Sequence, residues 1–250
     1  MGLFDFFKKS SGKTEDGGKK KSGAAAKWAE AAASKRAQAY DRQEALQELA
    51  KLGTAEAVEA LLKRFTFNTD PSITDQEEKD LAFDGILKAG KDAIEPVRAF
   101  AAKAESLSWP IRILKELLEE EELVEELLVW LERWDTEYAK FIDPKLQLLE
   151  FLADYKSPKI RPAVEPFLED VNEPARYNAV TAILAQGEPE ALDALIKLFL
   201  DEESVRIRAK IADGIAARNW TIPDEQRDGL RKVLPHQYGI DGEGKITKRG

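Results

Sequence analysis

The 250-residue chain carries 38 basic and 47 acidic side chains, 43% apolar residues and no cysteine. That apolar share is enough to fill a core, and the missing thiols exclude disulfides, thiolate metal sites and a cysteine nucleophile. A net charge of −9 disfavours nucleic acid as a partner, because duplex binding needs clustered Lys and Arg to displace counterions from phosphates.

The charge is unevenly placed. Residues 1–27 hold seven lysines against Asp5, Glu15 and Asp16, so a basic tail precedes an acidic body. In residues 1–9, MGLFDFFKK, Leu3, Phe6 and Phe7 fall at i, i+3 and i+4, with Phe4 beside them and Lys8 and Lys9 following. A helix would gather them on one face, so this amphipathic segment reads as an anchor for an anionic membrane surface or a partner. A frayed end or an arm tucked onto the body is the competing reading. Residues 10–27 are rich in Gly, Ser and Lys and show no apolar period, which predicts a flexible basic linker. The Ala-rich stretch from Trp28 to Tyr40 suits a helix that caps the first repeat.

From there one helical template recurs. Apolar residues at relative positions 0, +3, +4 and +7 appear as Val58, Leu61, Leu62, Phe65, then Val124, Leu127, Leu128, Leu131, then Ile160, Ala163, Val164, Phe167, then Leu192, Leu195, Ile196, Phe199. A weaker copy begins at Ile94, and a degraded one holds Leu230 and Val233. The register marks Val58, Ile94, Val124, Ile160 and Leu192 are 36, 30, 36 and 32 residues apart, a solenoid period. Each stripe comes after a second apolar helix, such as Ala45, Leu46, Leu49 or Leu148, Leu149, Leu152. Gly53, Gly90 and Gly187 stand where a helix end wants a left-handed residue, and Pro158 and Pro189 suit the first turn of the next helix. Thr74 and Glu77 have capping-box spacing.

One helix pair cannot bury its stripe alone, so neighbours must stack. The expected fold is therefore all-α, an α-solenoid of five or six stacked helix pairs over residues 28–234. Residues 235–250 form a C-terminal tail that is either disordered or a small hairpin between Tyr238 and Thr247.

Two segments carry a family resemblance. DVNEPARYNAVTAILAQGEPEALDALIKLF at 170–199 and DEESVRIRAKIADGI at 201–215 resemble HEAT repeats of the phycobilisome-lyase-like type. In these an Asp near the inter-repeat turn is followed by Val-Arg and then a small residue three positions on. Val205, Arg206 and Ala209 come after Asp201 in that way, and Ala175, Arg176 and Ala179 come after Asp170 with one extra residue. The resemblance implies inter-repeat structural roles for Asp170, Arg176, Asp201 and Arg206. It covers roughly residues 145–218, while Glu119–Glu122 replaces the usual Gly or Pro turn and leaves room for one long helix there.

The sites of chemistry are few. His236 is the single histidine, and neither a GxxxxGK[ST] phosphate loop nor a GxSxG elbow occurs. No catalytic residue, cofactor or metal is expected. Glu119–Glu122 with Glu125 and Glu126 reads as the solvated face of an amphipathic helix. Trp109, Trp130, Trp134 and Trp220 are candidate partner anchors. No run long enough to span a bilayer exists, and residues 1–20 lack a secretory h-region. The sequence thus predicts a non-enzymatic protein-interaction scaffold or adaptor. It is expected in the cytoplasm, peripheral at the inner face of the membrane. The alternative is a HEAT-type nucleic-acid-processing enzyme, and a continuous Lys/Arg stripe with a Trp and an Asp at its centre would favour it.

Overall fold

The computed structural model describes the backbone of residues 14–248 and the side chains of residues 23–248. The predicted anchor, Leu3, Phe4, Phe6, Phe7, Lys8 and Lys9, lies outside them.

The chain divides into two compact units, at residues 1–119 and 120–250. In unit 1, α1 (Thr14–Ala33) is followed by the pair α2 (Ala39–Leu52) and α3 (Ala55–Leu62). Then come the pair α4 (Ser72–Lys88) and α5 (Ile94–Ala101), and finally α6 (Ser108–Leu117). In unit 2, α7 (Glu120–Leu131) precedes three pairs: α8 (Asp143–Leu152) with α9 (Ile160–Val164), α10 (Glu173–Gln186) with α11 (Leu192–Asp201), and α12 (Val205–Ala217) with α13 (Asp224–Val233). Strands β1 (Tyr238–Ile240) and β2 (Ile246–Lys248) pair antiparallel at the end, with Tyr238 opposite Lys248. The predicted all-α solenoid of stacked pairs is therefore present, and of the two readings of residues 238–247 the hairpin is the one observed.

Within each unit first helices stack on first helices and second on second: α2 on α4 and α3 on α5, then α8 on α10, α10 on α12 and α11 on α13. The recurring stripes supply the core. Val58, Leu61, Leu62, Val124, Leu127, Leu128, Leu131, Ile160, Val164, Phe167, Leu195, Ile196 and Phe199 are all buried. Gly53 and Gly187 close α2 and α10 at φ +59° and +76°, a conformation that costs glycine nothing extra.

Three expectations are corrected. The linker predicted for 10–27 is helical from Thr14, because Ala24–Ala26 favour helix and Ala25 and Ala32, seven apart, bury one face of α1, which packs on α2 and α3. The Trp28–Tyr40 stretch is not one helix, since α1 ends at Ala33 and Tyr40 already lies in α2. Thr74 is no cap, because α4 starts two residues earlier behind Pro71. At the acidic run, of the two readings left open, two separate helices are observed. Leu118 is extended, at φ −114° and ψ 150°, between α6 and α7.

A short α9 also has a local cause. Pro166 has no N–H to donate to the carbonyl of residue 162 and its ring crowds that carbonyl, so the α-helix gives way at Val164 to a 3-10 turn over Glu165–Glu169. The α2–α4 crossing is tight in a different way. A Cβ built on Gly85 would stand 2.7 Å from Ala50 Cβ and 3.2 Å from Ala50 Cα. Gly85→Ala is expected to lower stability by about 1–2 kcal/mol, overpacking outweighing the helix propensity gained. Urea unfolding followed by far-UV circular dichroism checks this; an unchanged or raised midpoint would show that the helices slide apart freely.

Candidate functional site

Charged side chains occupy core positions at the seams between repeats. In unit 1, Glu78 of α4 is fully buried and accepts from Arg42 of α2 through Nε at 2.9 Å and Nη2 at 3.0 Å. Arg64, in the 3-10 turn after α3, donates its Nε to the same carboxylate at 2.7 Å and its Nη2 to Asp75 at 2.7 Å. Lys79 closes the cluster with 2.6 Å bonds to Asp75 and Asn68. Three cations and two carboxylates thus tie α2, α3 and α4 together.

Unit 2 repeats the device as a ladder. Lys145 of α8 and Asp170, both fully buried, meet at 2.6 Å, and Asp170 also accepts from the backbone N–H and side-chain amide of Asn172. Arg176 of α10 donates to the Asp170 carbonyl at 2.8 Å and holds the Glu202 carboxylate through Nε at 2.8 Å and Nη2 at 3.0 Å. Glu173 accepts from Ser204 and Arg206 at the start of α12. Each repeat is therefore fastened to the next by a carboxylate.

These contacts place the predicted inter-repeat residues. Asp170 and Arg176 sit at seams, and Arg206 reaches back to the preceding repeat. Asp201 does not: it is exposed at the end of α11, and buried Glu202 receives Arg176 instead. Among the tryptophans, Trp130 is 3% exposed. That corrects its reading as a partner anchor, because its side chain is withdrawn from solvent. Trp109 is half-buried and stacked on Phe65 with ring centroids 4.4 Å apart, and Trp134 and Trp220 are half-buried.

Asp75, Glu173 and Glu202 at the seams titrate low. Burial raises Asp75, but hydrogen bonds from Arg64, Lys79 and the Thr69 N–H more than reverse it and hold it well below the usual carboxylate range. Burial likewise raises Glu202, and its hydrogen bonds with Arg176 overcome that. A depressed folded pKa contributes stability above the unfolded value, near 3.9 for Asp and 4.3 for Glu, and loses it as pH falls toward the folded value. The melting temperature is accordingly expected to hold near neutrality and to drop below about pH 4.5. Glu202→Gln should flatten that acid limb in a pH series of thermal melts, and an equally steep limb would remove Glu202 from the account.

The largest cavity among those described is a groove of about 1060 Å³ in unit 2. One wall is α9 with its 3-10 extension, contributing Pro162, Pro166 and Leu168; the other is α11, contributing Ala194 and Leu198. Three cations and seven carboxylates line it. All three cations are already engaged: Arg161 by Glu165 and Glu188, Arg176 by Glu202, Lys197 by Glu169 on the opposite wall. Asp193, Asp201 and Glu203 have no ion pair among the described residues. None of the four candidate tryptophans lines the groove, nor does His236, which is exposed beside β1.

Among the described residues no group of His, Cys, Asp and Glu could hold a metal, and no helix is long and apolar enough to cross a membrane. No curated protein matches the chain in sequence. Residues 136–216 do match the family described as HEAT repeats, so the stretch that carries the seam ladder and both walls of the groove is similar to HEAT repeats.

Proposed function

We propose that the protein is a non-catalytic interaction scaffold that docks a segment of a partner protein in the groove between α9 and α11. HEAT repeats commonly serve as protein-interaction scaffolds. The observation that carries the reading here is the groove itself. It has two walls from consecutive repeats that carry its apolar residues, buried and part-buried ion pairs at the seams beside it, and cations that are all consumed internally. A rigid, half-apolar concavity of this kind suits an inserted peptide or helix. Its acidic balance and the absence of tryptophan from its lining favour this over the nucleic-acid-processing alternative.

Photo-cross-linking in the cells that make the protein tests the reading. A benzophenone side chain at Ala194 or Leu198 should yield protein adducts, while one at Lys210, outside the groove, should not. Adducts of equal strength at all three positions, or none in the groove, would overturn it.

The proposal includes a tether. Leu3, Phe4, Phe6 and Phe7 with the lysines after them support a weak, reversible attachment at an anionic inner membrane face. Burying such apolar side chains contributes about 1.5–3 kcal/mol each before ordering costs, and each nearby lysine about 1 kcal/mol. Co-sedimentation with anionic vesicles should fall with salt and vanish in Phe6→Glu with Phe7→Glu. Equal pelleting of both forms would assign the segment to another role.

A further inference from the structure

We infer that the occupant of the groove is a basic amphipathic helix of a partner protein, whose two cationic residues stand seven apart with an uncharged residue between them. This rests on the groove being the docking site, and it stems from how charge is laid out along α11. Asp193, Lys197 and Asp201 succeed one another at four-residue steps on one face, with Ala194 and Leu198 beside them. The helical rise sets the two carboxylates about 12 Å apart along the axis. Both are exposed and without an ion pair among the described residues.

Between them the Lys197–Glu169 pair bridges one wall to the other. The hydrogen bond and field of Glu169 raise the Lys197 pKa, so the lysine stays charged at any pH of interest. A ligand lying along the groove therefore meets negative charge, a positive centre already satisfied, and negative charge again. Helical residues seven apart project from nearly one face and are separated by about 10.5 Å, within about 1.5 Å of the carboxylate spacing and inside the reach of a lysine side chain. Residues four apart span only about 6 Å and set the second cation against Lys197. The apolar residues of such a helix would lie on Pro162, Pro166, Ala194 and Leu198. The arrangement thus selects the placement of positive charge and not its amount.

The test uses the full chain and four synthetic amphipathic helices sharing one leucine face, read by fluorescence anisotropy. The first carries lysines at i and i+7, the second at i and i+4, the third at i, i+4 and i+7, and the fourth glutamates at i and i+7. The first should bind best, the third no better despite its extra charge, and the glutamate peptide about tenfold or more weaker, the difference two rim ion pairs supply. Asp193→Asn with Asp201→Asn should weaken the first peptide about tenfold and leave the glutamate peptide unaffected or improved. These positions are exposed, so an unchanged circular dichroism melt is expected and keeps the comparison clean. Affinity that simply rises with the number of lysines, or an Asn variant that binds the first peptide as well as wild type, would overturn the inference. If cross-links from Leu198 still capture a protein in that case, the scaffold reading stands and only the basic helix falls. If sedimentation velocity shows a dimer that Leu198→Glu abolishes, the groove belongs to a second copy of the chain, and the inference is overturned in that way.

Discussion

Glu78→Ala is expected to cost unit 1 about 3–5 kcal/mol, the usual penalty for removing one partner from a buried ion pair. The cost arises on the other side of the contact. Arg42 is 4% exposed and Arg64 fully buried, and without Glu78 three of their N–H groups lose the carboxylate they share. Arg64 keeps Asp75 and the Phe67 carbonyl, so Arg42, left with the Ala37 carbonyl alone, is the more exposed to the loss. The triple variant Arg42→Met, Arg64→Met, Glu78→Leu should recover most of the stability, because apolar residues of similar volume often replace a buried ion cluster at little net cost. Hydrogen exchange localises the effect: amides of α2–α4 should lose protection in Glu78→Ala, and those of α10–α12 should not. A drop below about 1 kcal/mol would mean that water already reaches the cluster.

Asp170→Ala is the corresponding experiment in unit 2, with an expected loss of about 3–5 kcal/mol. Lys145 is fully buried and would retain only the Asp135 carbonyl at 3.1 Å, while the Asn172 backbone N–H would lose its 2.8 Å acceptor. Two defects arise from one substitution, an unpaired buried ammonium and an orphaned donor at the start of α10. Lys145→Met with Asp170→Asn should restore much of the loss, since the Asn oxygen can still accept from Asn172 and no buried charge remains. Urea denaturation of the single and double variants checks it. A double variant no better than Asp170→Ala would show that the seam depends on the charge pair itself.

The stacking is legible in the sequence because it depends on apolar spacing. Val58, Leu61, Leu62 and Ile160, Val164, Phe167 form stripes there and are buried, and Gly53 and Gly187 take the left-handed ends their positions require. The seams are legible only where the family resemblance reaches. It points to Asp170 and Arg176, but also to Asp201, displaced by one residue from the Glu202 that performs the role. Arg42 and Glu78 lie beyond it, Lys145 stands at its edge and outside the Asp and Val-Arg pattern, and all three pass for surface charges. A sharper signal is present: Arg42 with Ala45, Leu46 and Leu49, and Lys145 with Leu148, Leu149 and Leu152, fit the same 0, +3, +4, +7 template with a cation in the first place. A charge on a core stripe requires a buried partner. The groove is not legible at all, because its charge pattern depends on which carboxylates the neighbouring repeat leaves unpaired, and no single helix records that.

The central claim is that the protein works by holding a partner in the groove of unit 2. Its most direct measurement is gel filtration of extracts from the cells that make it, comparing wild type with Ala194→Glu, Leu198→Glu. Both side chains are only half-buried on the α11 wall, so the variant should keep its fold, as an unchanged melt would verify. Wild type is predicted to elute in an assembly heavier than the 28.0 kDa chain, and the variant to shift to the position of the free chain. Wild type eluting alone, or a variant that stays in the assembly, would contradict the account.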